Sequence, residues 1–283
     1  MQIVGVDVGG SHITAALVDL ETRSLVPGTL QRNQVDSHGS ASKIIAAWSF
    51  VIGNVMKFSS TGKTKIGMAM PGPFDYENGI SLMKSMNKYE ALYELNVKKL
   101  LAAKLGLTLE DIFMRNDAES FLAGEVMGGA ARGYEKVIGV TLGTGLGTAV
   151  HANGKTCDAA LGVNIPFLDG VAEDYISTRW FIKRYYELTG KKIPGVKELM
   201  NNLSSDNVAN EVFEEFRKNL LAFLTIFIEK DIPEVVVVGG NIANALDNYY
   251  DEMQLELRKK FPKIFLKKAL LGENAALIGA VFF

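Results

Sequence analysis

The sequence predicts an α/β protein built from two duplicated domains. A strand–turn–strand segment at residues 3–18 returns in similar form at residues 137–149. After each copy, short apolar runs typical of buried strands alternate with longer segments whose apolar residues recur every three or four positions, as in helices. With 283 residues, the chain is long enough for two domains with separate cores.

The first strand–turn–strand segment has a glycine-rich tip. It reads Ile3-Val4-Gly5-Val6-Asp7-Val8-Gly9-Gly10-Ser11 and continues into β-prone residues. Such a turn would expose the N–H groups of Gly9, Gly10 and Ser11, and exposed N–H groups can hold a phosphate. Asp7, just before the tip, could hold a hydrated divalent cation. Taken alone, however, a Gly-Gly hairpin is also consistent with an ordinary β-turn.

Residues 137–149 repeat this pattern. They read Val-Ile-Gly-Val-Thr-Leu-Gly-Thr-Gly-Leu-Gly-Thr-Ala. When Gly5 is aligned with Gly139, the two segments also match at four further pairs: Val6 and Val140, Gly9 and Gly143, Thr14 and Thr148, Ala15 and Ala149. The repetition favours a duplicated hairpin over a chance turn, and two such turns could grip a polyphosphate from both sides.

Between the two hairpins, the patterns predict strands and helices in alternation. In order, they are a strand over 24–35, a helix over 39–58, a strand over 65–70, a helix over 95–105 and a strand over 112–115. The strand over 65–70 runs into Pro71-Gly72-Pro73. This segment must be a rigid loop, because proline fits neither a strand ladder nor a helix interior.

Asn116 and Asp117 follow the last of these strands and precede a helical segment. Either residue is a favoured N-cap, which is a sufficient structural reason for its presence. A carboxylate at the carboxyl end of a strand is also where open α/β sheets place ligand chemistry. Both interpretations of the pair stay open at this point.

After the second hairpin, the alternation resumes. The patterns predict helices over 173–188 and 206–230, strands over 234–238 and 264–268, and a C-terminal helix over 273–283. Gly239, Gly240 and Asn241 separate a buried strand from a helix start, an arrangement that accepts a nucleotide. We expect the C-terminal helix to cross back to the first half. The predicted lobes are therefore residues 1–116 with 273–283, and residues 117–272.

The composition excludes several functional classes. The net charge is −2, whereas nucleic-acid binders usually present a strongly basic face. Cys157 is the only cysteine, which excludes an intrachain disulfide and a cysteine-rich zinc site. No apolar run reaches membrane-spanning length, and the first residues lack the basic segment of a signal peptide. We therefore expect a cytoplasmic protein without nucleic-acid or membrane partners.

Together, these motifs resemble a known family. The duplicated hairpin, the Asn-Asp pair and the late Gly-Gly-Asn are similar to the actin-like ATPase fold. This resemblance implies two duplicated actin/hexokinase-like (ribonuclease H-like) domains with a nucleotide cleft between them. Within that fold, four segments resemble the ROK family of bacterial sugar kinases and sugar-responsive repressors: Pro71-Gly72-Pro73, Asn116-Asp117-Ala118, Gly143-Thr144-Gly145-Leu146-Gly147 and Gly272-Glu273-Asn274-Ala275-Ala276.

The resemblance implies a glucokinase-like enzyme that uses ATP and Mg²⁺ to phosphorylate a hydroxyl of a hexose or N-acetylhexosamine. It implies Asp117 as the general base, Asn116 as a ligand of a sugar hydroxyl, and Gly72 in a wall of the sugar site. It implies that Asp7 lies near Mg²⁺ and holds it through water. The implied phosphate donors are Gly9, Gly10, Ser11, Gly143, Thr144 and Gly145, and the residues under the adenosine are Gly239, Gly240 and Asn241. Family members are often dimers, so a homodimer is expected by resemblance, with residues 173–230 as the candidate interface.

Two positions have weaker matches to the family. Asn87 falls where the family has a Pro-Asn ahead of a Trp, and it either contacts the sugar or is a turn asparagine. Glu173 matches the last residue of a cysteine-rich zinc segment whose glutamate binds sugar in the family. A glutamate in the first turn of a helix also has a purely structural reason, since the helix dipole favours it there.

The sequence departs from the family after the second hairpin. The family carries Glu-x-Gly-His there, and Val163 and Pro166 stand in place of the Glu and the His. The cysteines of the zinc segment are absent, so we expect no zinc. The alternative to a kinase is therefore a non-catalytic or degraded sugar- or nucleotide-binding regulator of the same family. Retention of Asp7 and Asp117 favours the kinase. The predicted first strand, which starts at Gln2, favours it too, because family repressors carry a helix-turn-helix domain before this strand.

Overall fold

The computed structural model describes residues 1–59, 64–202 and 206–282. The chain divides into two compact units, Met1–Gly129 with Glu273–Phe283, and Ala130–Gly272. Each unit has its own main sheet and its own apolar core. The predicted α/β fold with two domains is confirmed. The division falls after Gly129, whereas the sequence placed it after residue 116.

The first unit is built around a six-stranded sheet. Its elements up to Gly128 are β1 (Gln2–Val8), β2 (His12–Asp19), β3 (Ser24–Leu25), β4 (Gln31–Gln34), α1 (Ala41–Met56), β5 (Ile66–Met70), β6 (Phe74–Asp75), β7 (Ile80–Ser81), α2 (Val97–Leu105), β8 (Ile112–Asn116) and α3 (Asp117–Gly128). The order is β3-β2-β1-β5-β8, with β4 also paired to β2. Strands β1 and β2 are antiparallel, whereas β5 is parallel to both β1 and β8.

The second unit has a five-stranded sheet in the order β11-β10-β9-β14-β15. Its elements are β9 (Val137–Leu142), β10 (Leu146–Ala152), β11 (Lys155–Asp158), α4 (Leu161–Asn164), β12 (Pro166–Phe167), β13 (Gly170–Val171), α5 (Ala172–Tyr175), α6 (Thr178–Thr189), α7 (Val196–Asn202), α8 (Asn207–Asp231), β14 (Val235–Gly239), α9 (Tyr250–Lys260) and β15 (Phe265–Lys268). As in the first unit, an antiparallel hairpin leads into parallel strands. The hairpin that repeats in the sequence thus has the same place in the strand topology of both units.

The C-terminal helix, α10 (Asn274–Gly279), belongs to the first unit. It lies against the sheet where the strands carry glycine, because a Cβ at Gly5 or Gly67 would come within 2.2 Å of a backbone oxygen of α10 or of the residue that follows it. It also crosses α3 closely at Gly279, where a Cβ would lie 1.7 Å from the Ser120 oxygen. The helix predicted over 273–283 is thus present but shorter, since it ends at Gly279. Residue 283 lies outside the described residues.

Two predicted elements are divided in the structure. The strand over 24–35 is two strands, β3 and β4, and the turn between them includes Gly28 at φ +79°. The helix over 173–188 is also two helices, α5 and α6, because Ser177 has an extended backbone (φ −157°, ψ 165°). Within the described part of the chain, no helix combines the length and the apolar character needed to cross a bilayer.

Candidate active site

One row of residues crosses the first sheet near the predicted site. The strand register pairs Arg32 with Thr14, Thr14 with Asp7, Asp7 with Ala69, and Ala69 with Arg115. Directly paired residues on neighbouring strands project from the same sheet face. Arg32, Asp7 and Arg115 therefore lie on one face. Arg115 uses this position to donate to the carbonyls at the end of the chain, those of Gly279 and Phe282.

Asp7 lies in an acidic environment within this face. Burial is the largest cause that raises the pKa of its carboxyl to about 7; the nearby carboxylates of Asp117 and Glu273 act in the same direction, whereas Arg32 opposes them. Arg32 is held by Glu273, the residue before α10, at 2.6 Å. A cation bound at Asp7 would relieve this accumulation of negative charge. In the described residues, no three His, Cys, Asp or Glu side chains are arranged to hold a metal directly.

Of the two residues that the sequence offered as the N-cap of α3, the structure uses Asn116. Asn116 is the N-cap of α3, and its Oδ1 accepts hydrogen bonds from the N–H groups of Ala118 and Glu119 at 2.8 and 3.2 Å. Asp117 is the first residue of the helix, its side chain is exposed, and its Oδ1 accepts from the Ala118 N–H at 2.8 Å. The cap thus fixes the backbone from which the Asp117 carboxylate projects.

Gly72 lies beside this pair. A Cβ at Gly72 would come within 3.0 Å of the Tyr76 hydroxyl and 3.8 Å of Asn116 Nδ2. Asn116 Nδ2 donates to the Tyr76 hydroxyl at 3.1 Å, and this hydroxyl in turn donates to the Met70 carbonyl at 3.4 Å. Tyr76 orients the Asn116 amide, but it lies outside every motif. Its position shortly after the proline loop is the one signal that could have drawn attention to it.

The turn between β1 and β2 closes through backbone contacts. The Gly9 N–H donates to the His12 carbonyl at 2.9 Å, and the Gly9 carbonyl accepts from the Tyr89 hydroxyl at 2.6 Å. Gly10 and Ser11 are exposed, and a Cβ at Gly10 would meet no atom within 4 Å. The tip therefore has the open space that a phosphate needs beside backbone N–H groups.

Asn87 lies in an exposed turn. Its backbone has φ +56°, and its N–H donates to Glu90 Oε1 at 3.0 Å. Asparagine is among the residues that tolerate the left-handed region, so this geometry explains an asparagine here without any ligand. A contact of Asn87 with sugar remains a prediction.

The turn of the second hairpin is held from outside in a similar way. The Gly143 N–H donates to the Gly145 carbonyl at 3.1 Å, and the Gly143 carbonyl accepts from both the N–H and the hydroxyl of Thr178 at 2.9 Å. Thr144, at the tip, is exposed. These hydrogen bonds hold Thr178, the first residue of α6, against the turn. The extended Ser177 that separates α5 from α6 directly precedes it.

Glu173 also supports the second hairpin. Its Oε2 accepts from the Leu146 N–H at 2.9 Å, and a Cβ at Gly145 would come within 2.4 Å of the same oxygen. Its Oε1 pairs with Arg179. These contacts give the glutamate a structural role in the second unit, whether or not it also contacts sugar. Neither contact could be read from the sequence, since the partners of Glu173 lie on other elements.

Gly240 brings the third predicted nucleotide segment to the same hairpin. It has φ +89°, and a Cβ there would lie 2.3 Å from the Leu142 oxygen, at the end of β9. Gly239 ends β14, and Asn241 is exposed at the start of a 3₁₀ helix, Asn241–Tyr249. The sequence suggested an ordinary helix at this point, so the local N–H groups are arranged differently from that expectation.

Comparisons with known proteins agree with this architecture. The family model described as "ROK family" matches residues 3–164 and 169–283. An N-acetyl-D-glucosamine kinase from Pectobacterium carotovorum subsp. carotovorum is 26% identical over 252 residues, which are 76% of this chain and 78% of that protein. A glucokinase from Thermotoga maritima is 24% identical over 279 residues, 87% of this chain and 83% of that protein.

A solved structure shares the fold. The ROK family glucokinase from Streptomyces griseus, crystallised with glucose and AMPPNP, superposes with a TM-score of 0.78 at 21% identity, covering 99% of this chain and 98% of that one. The likeness supports the predicted actin-like, ribonuclease H-like fold. Because the family model matches nearly the full length of this chain, the chain belongs to the ROK family.

Proposed function

We propose that this protein is an ATP-dependent sugar kinase, which transfers the γ-phosphoryl group of ATP to a hydroxyl of a hexose or N-acetylhexosamine. The observation that carries the proposal is the exposed carboxylate of Asp117 at the start of α3, which lies close enough to Asp7 to raise its pKa. The carboxylates that we assign as the general base and as the cation ligand are thus neighbours in one unit. The N-acetylglucosamine kinase and glucokinase relatives support the same reaction class.

In this proposal, Asp117 takes the proton from the attacking sugar hydroxyl. The Asn116 amide, oriented by Tyr76 at 3.1 Å, binds a neighbouring hydroxyl, and Gly72 forms part of a wall of the sugar site, where a Cβ would crowd the Tyr76 hydroxyl. Phosphoryl transfer depends on positioning and charge stabilisation more than on covalent help from the protein. A rigidly capped helix start is well suited to that requirement.

In the same proposal, the glycine turns bind the phosphates of ATP through backbone N–H groups. In the first unit, we assign the N–H groups of Gly10 and Ser11 to phosphate oxygens, because the expected Gly9 donor is already bonded to the His12 carbonyl. In the second unit, we assign the N–H groups of Thr144 and Gly145 to them, because the expected Gly143 donor is already bonded to the Gly145 carbonyl. Mg²⁺, held through water by Asp7, would neutralise charge on the transferred group. Gly239, Gly240 and Asn241 would lie against the adenosine.

The test follows ADP release from MgATP with purified protein. The acceptor panel contains glucose, mannose, fructose, allose, N-acetylglucosamine, N-acetylmannosamine and buffer alone. We expect one or more sugars to raise turnover well above buffer. Asp117→Asn should lower that turnover by about 10²–10⁴-fold, the usual range for loss of a general base. Asp251→Asn, an exposed acid-to-amide change on α9, is the matched control and should leave turnover unchanged.

Two results would contradict the proposal. If MgATP binds but no sugar raises ADP release, the alternative of a non-catalytic family member gains support. If Asp117→Asn keeps full sugar-dependent turnover, Asp117 is not the base even if the protein is a kinase.

A further inference from the structure

The two glycine turns share a feature that neither motif contains. Gly9 and Gly143 occupy equivalent places in the repeated hairpin. Each has its carbonyl held by a residue from outside the hairpin, Gly9 by the Tyr89 hydroxyl at 2.6 Å and Gly143 by Thr178 at 2.9 Å. The two donors differ in residue type and in place along the chain. The shared feature is thus the restraint on the carbonyl.

A restraint on this carbonyl also restrains the next amide. The peptide unit is planar and trans, so the N–H of the following residue points opposite to the carbonyl. Fixing the Gly9 carbonyl therefore fixes the direction of the Gly10 N–H, and fixing the Gly143 carbonyl fixes that of the Thr144 N–H. A Gly-Gly peptide needs such a restraint, since glycine populates both signs of φ and the unit between two glycines can flip.

Tyr89 is itself rigidly placed. Its side chain is fully buried, with the ring edge-on to Trp48 at 5.2 Å between centroids. Its backbone N–H donates to the Ser37 carbonyl at 2.8 Å. Burial is the largest cause that raises the pKa of its hydroxyl to about 12, so the group remains a hydrogen-bond donor over the whole physiological range. The Gly9 carbonyl thus has a partner that is packed in the core and stays neutral over the physiological pH range.

We propose that Tyr89 and Thr178 are positioning residues that aim the N–H groups of Gly10 and Thr144 at the phosphates of the nucleotide. The inference rests on the proposed function insofar as that assigns phosphate to these turns. Tyr89 acts through the Gly9–Gly10 peptide and Thr178 through the Gly143–Thr144 peptide. Both tip residues are exposed, as a contact between their N–H groups and a ligand requires.

The experiment compares ligands with and without phosphate. Tyr89→Phe keeps the ring and removes the donor, which leaves the Gly9 carbonyl unrestrained. We expect binding of Mg·AMPPNP, measured by calorimetry, to weaken about tenfold, which corresponds to a Gly10 N–H that has the binding-competent direction only about a tenth of the time. Adenosine, which has no phosphate, should bind the variant within about twofold of wild type. Tyr185→Phe is the matched control, since it removes an equally short hydroxyl bond, to Asp206 at 2.6 Å, far from the Gly9 turn in the chain.

Thr178→Val supplies a second, graded test. It removes the hydroxyl but leaves the Thr178 backbone N–H on the Gly143 carbonyl, so we expect a loss of only about threefold for AMPPNP and none for adenosine. An unchanged AMPPNP affinity in Tyr89→Phe would overturn the inference. Equal weakening of adenosine and AMPPNP would also overturn it, because that pattern indicates general loss of structure.

The readout separates this inference from the kinase proposal. It measures binding, so a wild-type protein that binds AMPPNP but phosphorylates no sugar would contradict the kinase proposal and still allow the variants to be compared. A wild-type protein that does not bind AMPPNP would contradict both.

Discussion

Replacing Asp7 by asparagine should stabilise the protein at neutral pH and leave its stability nearly unchanged in acid. Burial, with help from Asp117 and Glu273, raises the pKa of Asp7 from 3.8 to about 7. The native chain therefore keeps a proton that the unfolded chain has already lost between those two values. Wild-type stability should fall as the pH rises through this window and become constant above it. The amide of the Asp7→Asn variant cannot ionise, so the variant lacks this loss.

The size of the effect follows from the shift. The difference between about 7 and 3.8 is roughly 3 pKa units, and each unit corresponds to about 1.4 kcal/mol. Asp7→Asn should thus be more stable than wild type by up to about 4 kcal/mol at pH 8. Near pH ~3 the two proteins should have nearly equal stability, because the carboxyl is then largely protonated in both the native and the unfolded state.

The assay is urea unfolding of both proteins at intervals from about pH 3 to about pH 8, with direct NMR titration of the Asp7 carboxyl. Asp19→Asn is a control of opposite sign. The N–H groups of Glu21 and Thr22 lower the pKa of Asp19, so this substitution should destabilise the protein at neutral pH, with the difference disappearing in acid. A difference between Asp7→Asn and wild type that does not change with pH would refute the reasoning.

Two further predictions concern packing and charge in the first unit. Gly279→Ala should cost about 3 kcal/mol or more in thermal unfolding, because its Cβ would lie 1.7 Å from the Ser120 oxygen. Gly53→Ala, in the interior of α1 with no atom closer than 3.8 Å, should instead stabilise by up to about 1 kcal/mol, and a loss there would contradict the packing argument. Arg32→Met breaks a largely exposed ion pair and should cost less than about 1 kcal/mol. It should also move the NMR titration of Asp7 to higher pH, since Arg32 lowers that pKa; an unchanged titration would contradict their coupling.

The features predicted best from the sequence are those that adjacent residues determine. The hairpin at 3–18 and its repeat at 137–149 follow from apolar runs interrupted by glycine, and the structure has β1–β2 and β9–β10 at these places. The long helix predicted over 206–230 is α8, Asn207–Asp231. Its apolar residues recur every three to four positions, and this local signal needs no knowledge of distant contacts.

The features missed depend on partners far away in the chain. Tyr89 reaches Gly9 across 80 positions, and Thr178 reaches Gly143 across 35. No local pattern marks either donor. The break between α5 and α6 was missed for the same reason, since helical periodicity continues through it while tertiary contacts at Thr178 interrupt the helix. The roles assigned to Asp117 and to the glycine turns remain predictions.

The altered segment after the second hairpin bears on the choice of sugar. Val163 and Pro166 stand where the family resemblance places a Glu and a His that bind sugar, and Val163 is 57% exposed. Glu173 could compensate only in part, because Leu146 and Arg179 already engage both of its oxygens.

A site with fewer hydrogen-bond partners for its substrate discriminates less between analogues, since fewer buried polar groups are left unpaired by the wrong one. We therefore expect relaxed acceptor selectivity, with kcat/KM values for glucose and N-acetylglucosamine within about tenfold of each other. A ratio of the two kcat/KM values above about 10³ would contradict this expectation and show that other groups discriminate between the sugars. Asn116, with Tyr76 bonded to its amide in the first unit, is the first candidate for that role.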